Sequence, residues 1–149
     1  MVRKKGDMRN DKRCGFEIIK ARDIDRLGAQ GVIDAIKERV GNTKVYISVD
    51  IDSLDPAFAP GTFISFRGMR SMYYNTKLTI TATGTSEPGG WSTRELLMII
   101  DGLEGLKVVG ADVVEVAPIY DNPGETTVLA AAEIVHSLLT LMVQEPIGT

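Results

Sequence analysis

Two runs rich in β-branched residues, 44–52 (KVYISVDID) and 107–116 (KVVGADVVEV), are separated and flanked by segments of helical periodicity. No other feature constrains the fold as strongly. Strands that alternate with helices read as βαβ units, in which parallel strands form a sheet covered by helices. The first helix is predicted from the N-cap choices Asp23 and Asp25 to about Val40. Val32, Ile33, Ile36 and Val40 share one side of it, and Asp34, Lys37, Glu38 and Arg39 the other. Gly41 stands just past its end. Trp91-Ser92-Thr93-Arg94-Glu95-Leu96 predicts a second helix start. Ser92 and Glu95 have the spacing of a capping box, and Trp91 and Leu96 occupy the hydrophobic-staple positions. This helix should end near Gly102 to Gly105. The last helix is predicted from about Glu125 to Met142, with Val128, Ala131, Ala132, Val135, Leu138, Leu139 and Met142 on its buried face. Residues 15–20 read as a further short strand, and Pro56 and Pro118 close the two main strands.

The 149 residues, 44% apolar and 25% charged, suit one domain with a sizeable core. Lys and Arg total 17 against 20 Asp and Glu; the net charge of −3 argues against a nucleic-acid binder. Residues 1–13 carry six basic side chains, but Asp7 and Asp11 dilute them and no aromatic residue interleaves. That stretch reads as a solvated polar tail rather than a nucleic-acid arm. Cys14, the one cysteine, excludes an internal disulfide framework. No apolar run reaches the roughly 18 residues of a membrane span, so no membrane partner is predicted. The basic start has no apolar stretch behind it, so it does not read as a secretory signal, and the cytoplasm is the default compartment. His136, the one histidine, falls in the middle of the last helix and reads as an ordinary helix residue.

Asp50 and Asp52 close the first strand. On a strand, residues two apart point the same way, about 7 Å apart. The C-terminal ends of parallel strands are also where ligands bind in open α/β sheets. Two readings stand at this point. One is a divalent cation held between the carboxylates, of the oxygen-preferring kind such as Mg, Ca or Mn. The other is a solvated acidic loop. DIDSLD is not an EF-hand loop, because Leu54 and Asp55 stand where an acidic or amide residue and then a Gly are needed. It also matches the haloacid dehalogenase signature poorly, since Leu54 occupies its Thr or Val position.

The wider context adds a family resemblance. Ser48-Val49-Asp50-Ile51-Asp52-Ser53-Leu54-Asp55-Pro56 is followed by Ala59-Pro60-Gly61-Thr62, and further on by Gly84-Thr85-Ser86-Glu87-Pro88-Gly89-Gly90-Trp91. The pattern S-x-D-x-D-x-x-D-P with this continuation resembles the ureohydrolases, the family of arginase, agmatinase and guanidinobutyrase. The resemblance extends over residues 13–62 and 84–143, and the segments GTSEPGGWSTRELL and VVGADVVEVAPIYD are most like the agmatinase branch.

The resemblance implies an α/β fold: the C-terminal part of a three-layer αβα arginase-like domain with a parallel sheet, here residues 14–143 with short tails at 1–13 and 144–149. It implies that Asp50 and Asp52 bridge a pair of Mn(II) ions, that Thr85 lines the substrate pocket, and that Glu115 receives the guanidinium group. That last role suits a carboxylate, which accepts the planar guanidinium fork bidentately. Read by default, Asp55 is an N-cap or loop-bracing carboxylate, and it takes no ligand role. The implied reaction is metal-assisted hydrolysis of agmatine to putrescine and urea, with guanidinobutyrase or a related amidinohydrolase as the alternative. A homo-oligomer is left open.

Two departures accompany the resemblance. The family takes its other metal ligands from an upstream His and a D-x-H-x-D cluster, and its acid/base from a second upstream His. None of these has a counterpart here, so no catalytic acid or base is assigned and the chain alone is expected to be inactive. The second departure is an interruption at 63–83 (FISFRGMRSMYYNTKLTITAT), whose removal would join Gly61-Thr62 to Gly84-Thr85. It reads as a retained intron or gene-prediction artefact, with a genuine hairpin insertion over the site as the alternative.

Overall fold

The computed structural model describes residues 9–11, 13–60 and 88–144. The interruption at 63–83, Thr85 and nearly all of the 144–149 tail lie outside the described residues. Helix and strand alternate in the predicted order: α1 (Ile24–Val40), β1 (Lys44–Asp50), α2 (Thr93–Gly102), β2 (Lys107–Val114) and α3 (Thr126–Gln144).

β1 and β2 pair in parallel, from Lys44 opposite Lys107 to Asp50 opposite Val114. The register shifts by one residue between Val45 and Tyr46, so Val109 is the extra residue of a bulge. One face of the sheet, with Ile47, Val49, Val108, Ala111 and Val113, packs into the core. Ile51, Leu54 and Ile134 are among the most completely buried side chains there. Each such burial contributes about 1.5–3 kcal/mol relative to exposure. The other face carries Tyr46, Ser48 and Asp50 and is open. Among the described residues, helical cover therefore lies on one face only, which gives two of the three expected layers.

Local chemistry explains most element boundaries. α2 begins with the expected capping box: Ser92 Oγ accepts the Glu95 N–H at 3.2 Å, and Glu95 Oε2 accepts the Ser92 N–H at 2.8 Å. The Ser92 N–H, then its hydroxyl, hold the Glu95 carboxyl below its ordinary value. α1 is interrupted at Gly28, whose φ of 68° and ψ of 170° are not helical. The Asp23 carboxylate accepts the Lys20 N–H at 3.0 Å rather than capping α1 from within. Gly41, at φ 57°, ends that helix as expected.

Two expectations are corrected, at residues 15–20 and on the face of α3. Residues 15–20 form no strand; Arg39 of α1 holds them, donating to the Gly15 carbonyl at 2.9 Å and lying 3.7 Å from Glu17. In the polar tail, residues 9–11 and 13 are helical. The face of α3 is turned by about one residue: Thr127, Ala130, Ala131, Ile134, Leu138 and Leu141 are buried, whereas Val135 and Leu139 are exposed. By length and hydropathy α3 is also a membrane-span candidate, which the sequence reading did not anticipate, but that face of it packs on α2 and β2.

Candidate active site

β1 stops at Asp50 because Asp50 caps the next turn. Its Oδ1 accepts the backbone N–H of Asp52 at 3.0 Å, and Ile51–Ser53 turn into a short 3-10 helix. The expectation that the strand runs on to Asp52, with both carboxylates on one face, is therefore corrected. A short acidic side chain offers the backbone a competing acceptor, and the turn wins over the ladder. Asp50 is exposed, whereas Asp52 is half-buried with its Oδ1 enclosed.

β2 ends two residues earlier than expected, at Val114, the register partner of Asp50. Glu115 is the next residue and is exposed, so the parallel register brings Asp50 and Glu115 to neighbouring places on one sheet edge. Glu115 has φ 64°, the left-handed region, one of two such non-glycine residues among those described. That conformation costs about 1–3 kcal/mol and persists where the surroundings hold it, which is characteristic of functional sites.

Asp55 braces the loop as expected. Its Oδ1 accepts the Ala57 N–H at 2.9 Å and its Oδ2 accepts the Gly89 N–H at 2.6 Å. These bonds, Ala57's first, hold the Asp55 carboxyl below its ordinary value. Beside them, Asp55 donates its N–H to the Trp91 carbonyl and Trp91 donates to the Ser53 carbonyl, both at 2.9 Å. The segment just after the two aspartates is thus stitched to residues 89–91, on the far side of the interruption.

The sequence reading missed a third group. Asp112 of β2 accepts the Ser48 hydroxyl at 2.6 Å on Oδ1 and the Tyr46 phenol at 3.0 Å on Oδ2. The Asp112 hydrogen bond, with slight desolvation and the Asp112 charge behind it, pushes the Tyr46 phenol above its ordinary value. The available signal was period two: Tyr46, Ser48 and Asp50 are polar at alternate positions of a strand whose other face is apolar.

The implied metal pair needs more donors than this edge supplies. Asp50 and Asp52 are carboxylates two residues apart at the sheet edge, but no group of three or more His, Cys, Asp or Glu able to hold a metal occurs among the described residues. The described residues do not by themselves fit a two-metal centre. His136 is exposed on α3. Thr85 lies outside the described residues.

Comparison with known proteins gives a consistent family. A family model described as the arginase family matches residues 2–70 and 77–140. A Schizosaccharomyces pombe relative that carries a provisional agmatinase name is 48% identical over 141 residues, 95% of this chain and 30% of the relative. The proclavaminate amidinohydrolase of Streptomyces clavuligerus is 41% identical over 116 residues, 78% of this chain and 30% of that protein. Among solved structures, a hypothetical agmatinase from Burkholderia thailandensis superposes with a TM-score of 0.73 at 38% identity, over 93% of this chain and 37% of that one. The arginase of Bacillus subtilis superposes with a TM-score of 0.69 at 31% identity, over 91% and 41%. The chain thus spans about 30% of the length of the curated relatives it matches.

Proposed function

This chain belongs to the arginase family, and we propose that it carries the strand-end carboxylates of an agmatinase-like ureohydrolase that cleaves agmatine to putrescine and urea. The observation that supports the reading is the pairing of Asp50, the last residue of β1, with Val114, the residue just before Glu115. In it, Asp50 and Asp52 are this chain's share of a Mn(II) site, and Glu115 receives the guanidinium. A guanidinium has five donors in a planar fork and a carboxylate accepts two of them in parallel, so Glu115 orients the carbon to be attacked. Thr85 is assigned to the pocket wall on the sequence resemblance. Bound Mn(II) would supply a nucleophile at neutral pH by lowering the pKa of water. Because two carboxylates do not make that centre, the 149-residue chain on its own is read as inactive. A related guanidino substrate is the second reading, favoured by the 41% identity to an amidinohydrolase of another substrate.

The test is urea release from agmatine. The isolated chain should release none above background. Grafted in place of the matching segment of a full-length bacterial agmatinase, with 63–83 deleted, it should support urea release. Activity in the isolated chain overturns the incompleteness. A folded but inactive graft overturns the agmatinase reading.

A further inference from the structure

We propose that Asp112 is a positioning residue for the site at the strand ends: by clamping Tyr46 and Ser48 of β1 to β2, it fixes Asp50 and Glu115 side by side. The proposal rests on the ureohydrolase reading for what those two carboxylates do, and on geometry alone for how they are held.

Ser48 and Asp112 are direct partners in the parallel register, one alternation before Asp50 and Val114. Both oxygens of the Asp112 carboxylate are used, each by a different residue of β1, Ser48 at 2.6 Å and Tyr46 at 3.0 Å. Two attachment points two residues apart resist both sliding and rotation, whereas one leaves rotation about it free. The need for such a clamp is visible in the ladder. The bulge at Val109 shifts the register within the strand pair, so the pairing before it does not dictate the pairing after it. A slip by one residue would turn every side chain of β1 to the other face and take Asp50 away from the edge. The packed face fixes which side chains point inward; the open face has no packed side chains, and there the two Asp112 bonds hold the strands together. Gly110 makes the Tyr46 contact feasible: it is the partner of Tyr46, and a Cβ at that position would lie 2.8 Å from the ring carbon Cε2. The phenol therefore passes over Gly110 to reach Asp112.

The experiment uses D112A, D112N and S48A in the 149-residue chain, followed by NMR. The first readout is the set of cross-strand contacts between Asp50 and Val114. The second is the broadening of the Glu115 amide relative to that of Asp52 on adding substoichiometric Mn(II), which reports separation rather than affinity. In D112A the Asp50–Val114 contacts should be lost and the relative broadening at Glu115 should fall several-fold, while the contacts of Lys44 with Lys107 persist. D112N keeps the acceptor for Ser48 and should restore most of both signals; S48A should behave between the two. A D112A chain that only melts earlier, with the Asp50–Val114 contacts unchanged, overturns the proposal. Should D112A not fold, intact contacts in S48A and D112N alike would do the same. If Mn(II) broadens neither Asp50 nor Asp52, the isolated chain holds no metal there, and the cross-strand contacts alone decide the clamp.

Discussion

Replacing Gly90 by Ala tests how tightly the loop after the two aspartates is built. A Cβ on Gly90 would lie 2.7 Å from the Asp55 nitrogen, the Leu54 carbonyl carbon and the Ser53 carbonyl oxygen. All three are main-chain atoms, so no side chain can rotate away and one backbone segment must move. Forcing a methyl into a packed site costs about 1–3 kcal/mol, and a triple backbone contact belongs in the upper half of that range. For a chain of this size, 1 kcal/mol corresponds to about 2–4 °C in Tm, so a fall of about 4–12 °C is expected by calorimetry. The movement must also break the bonds from Asp55 to Trp91 and from Trp91 to Ser53, both 2.9 Å. Hydrogen exchange at the Asp55 and Trp91 amides should therefore quicken more than at Ile134. A G90A chain with an unchanged Tm and unchanged protection at those two amides would refute the close approach.

Deleting 63–83 should leave Tm unchanged or raise it, because the Asp55–Gly89 and Ser53–Trp91 bonds already join the flanks; a clear loss of Tm would show that the segment packs as structure. Asp55 has a folded-state pKa below its ordinary value, so its contribution is present at neutral pH and lost as pH falls through the folded value. The stability gap between wild type and D55N should accordingly narrow in acid titration below about pH 4, and a gap independent of pH would contradict the bonding. Isothermal titration of the isolated chain with Mn(II) should show no site tighter than the micromolar range, whereas a nanomolar two-metal stoichiometry would mean that the ligand set is complete.

What was legible in the sequence was mostly local or periodic. The start of α2 followed from Ser92 and Glu95, three residues apart, and the parallel pairing followed from the order of elements. The boundary of β1 was not legible from β-propensity, because Asp50 stops the strand with its own side chain. The rotation of α3 was ambiguous because apolar residues occur around much of the helix; Leu139 and Leu138 look alike until the sheet selects one. Residues 15–20 have the composition of a strand but depend on Arg39, about two dozen residues away, which holds them to α1. The Asp112 cluster joins residues 64 and 66 apart, a separation across which no spacing rule operates. Asp50 and Asp52 stood out by their spacing at a strand end, but their role and the choice of Glu115 came from the family resemblance, and the register of β1 and β2 then set Asp50 opposite Val114, the residue before Glu115.

Under the proposed function the two strand ends divide the labour, with metal on Asp50 and guanidinium on Glu115. The most direct measurement is bound Mn(II) together with KM for agmatine in the grafted enzyme, comparing D50A with E115Q. D50A should lose Mn(II) and with it urea release. E115Q should keep its Mn(II) content while KM rises, since an amide offers one acceptor and no charge to the guanidinium. Full Mn(II) content in D50A, or an unchanged KM in E115Q, would contradict the assignment.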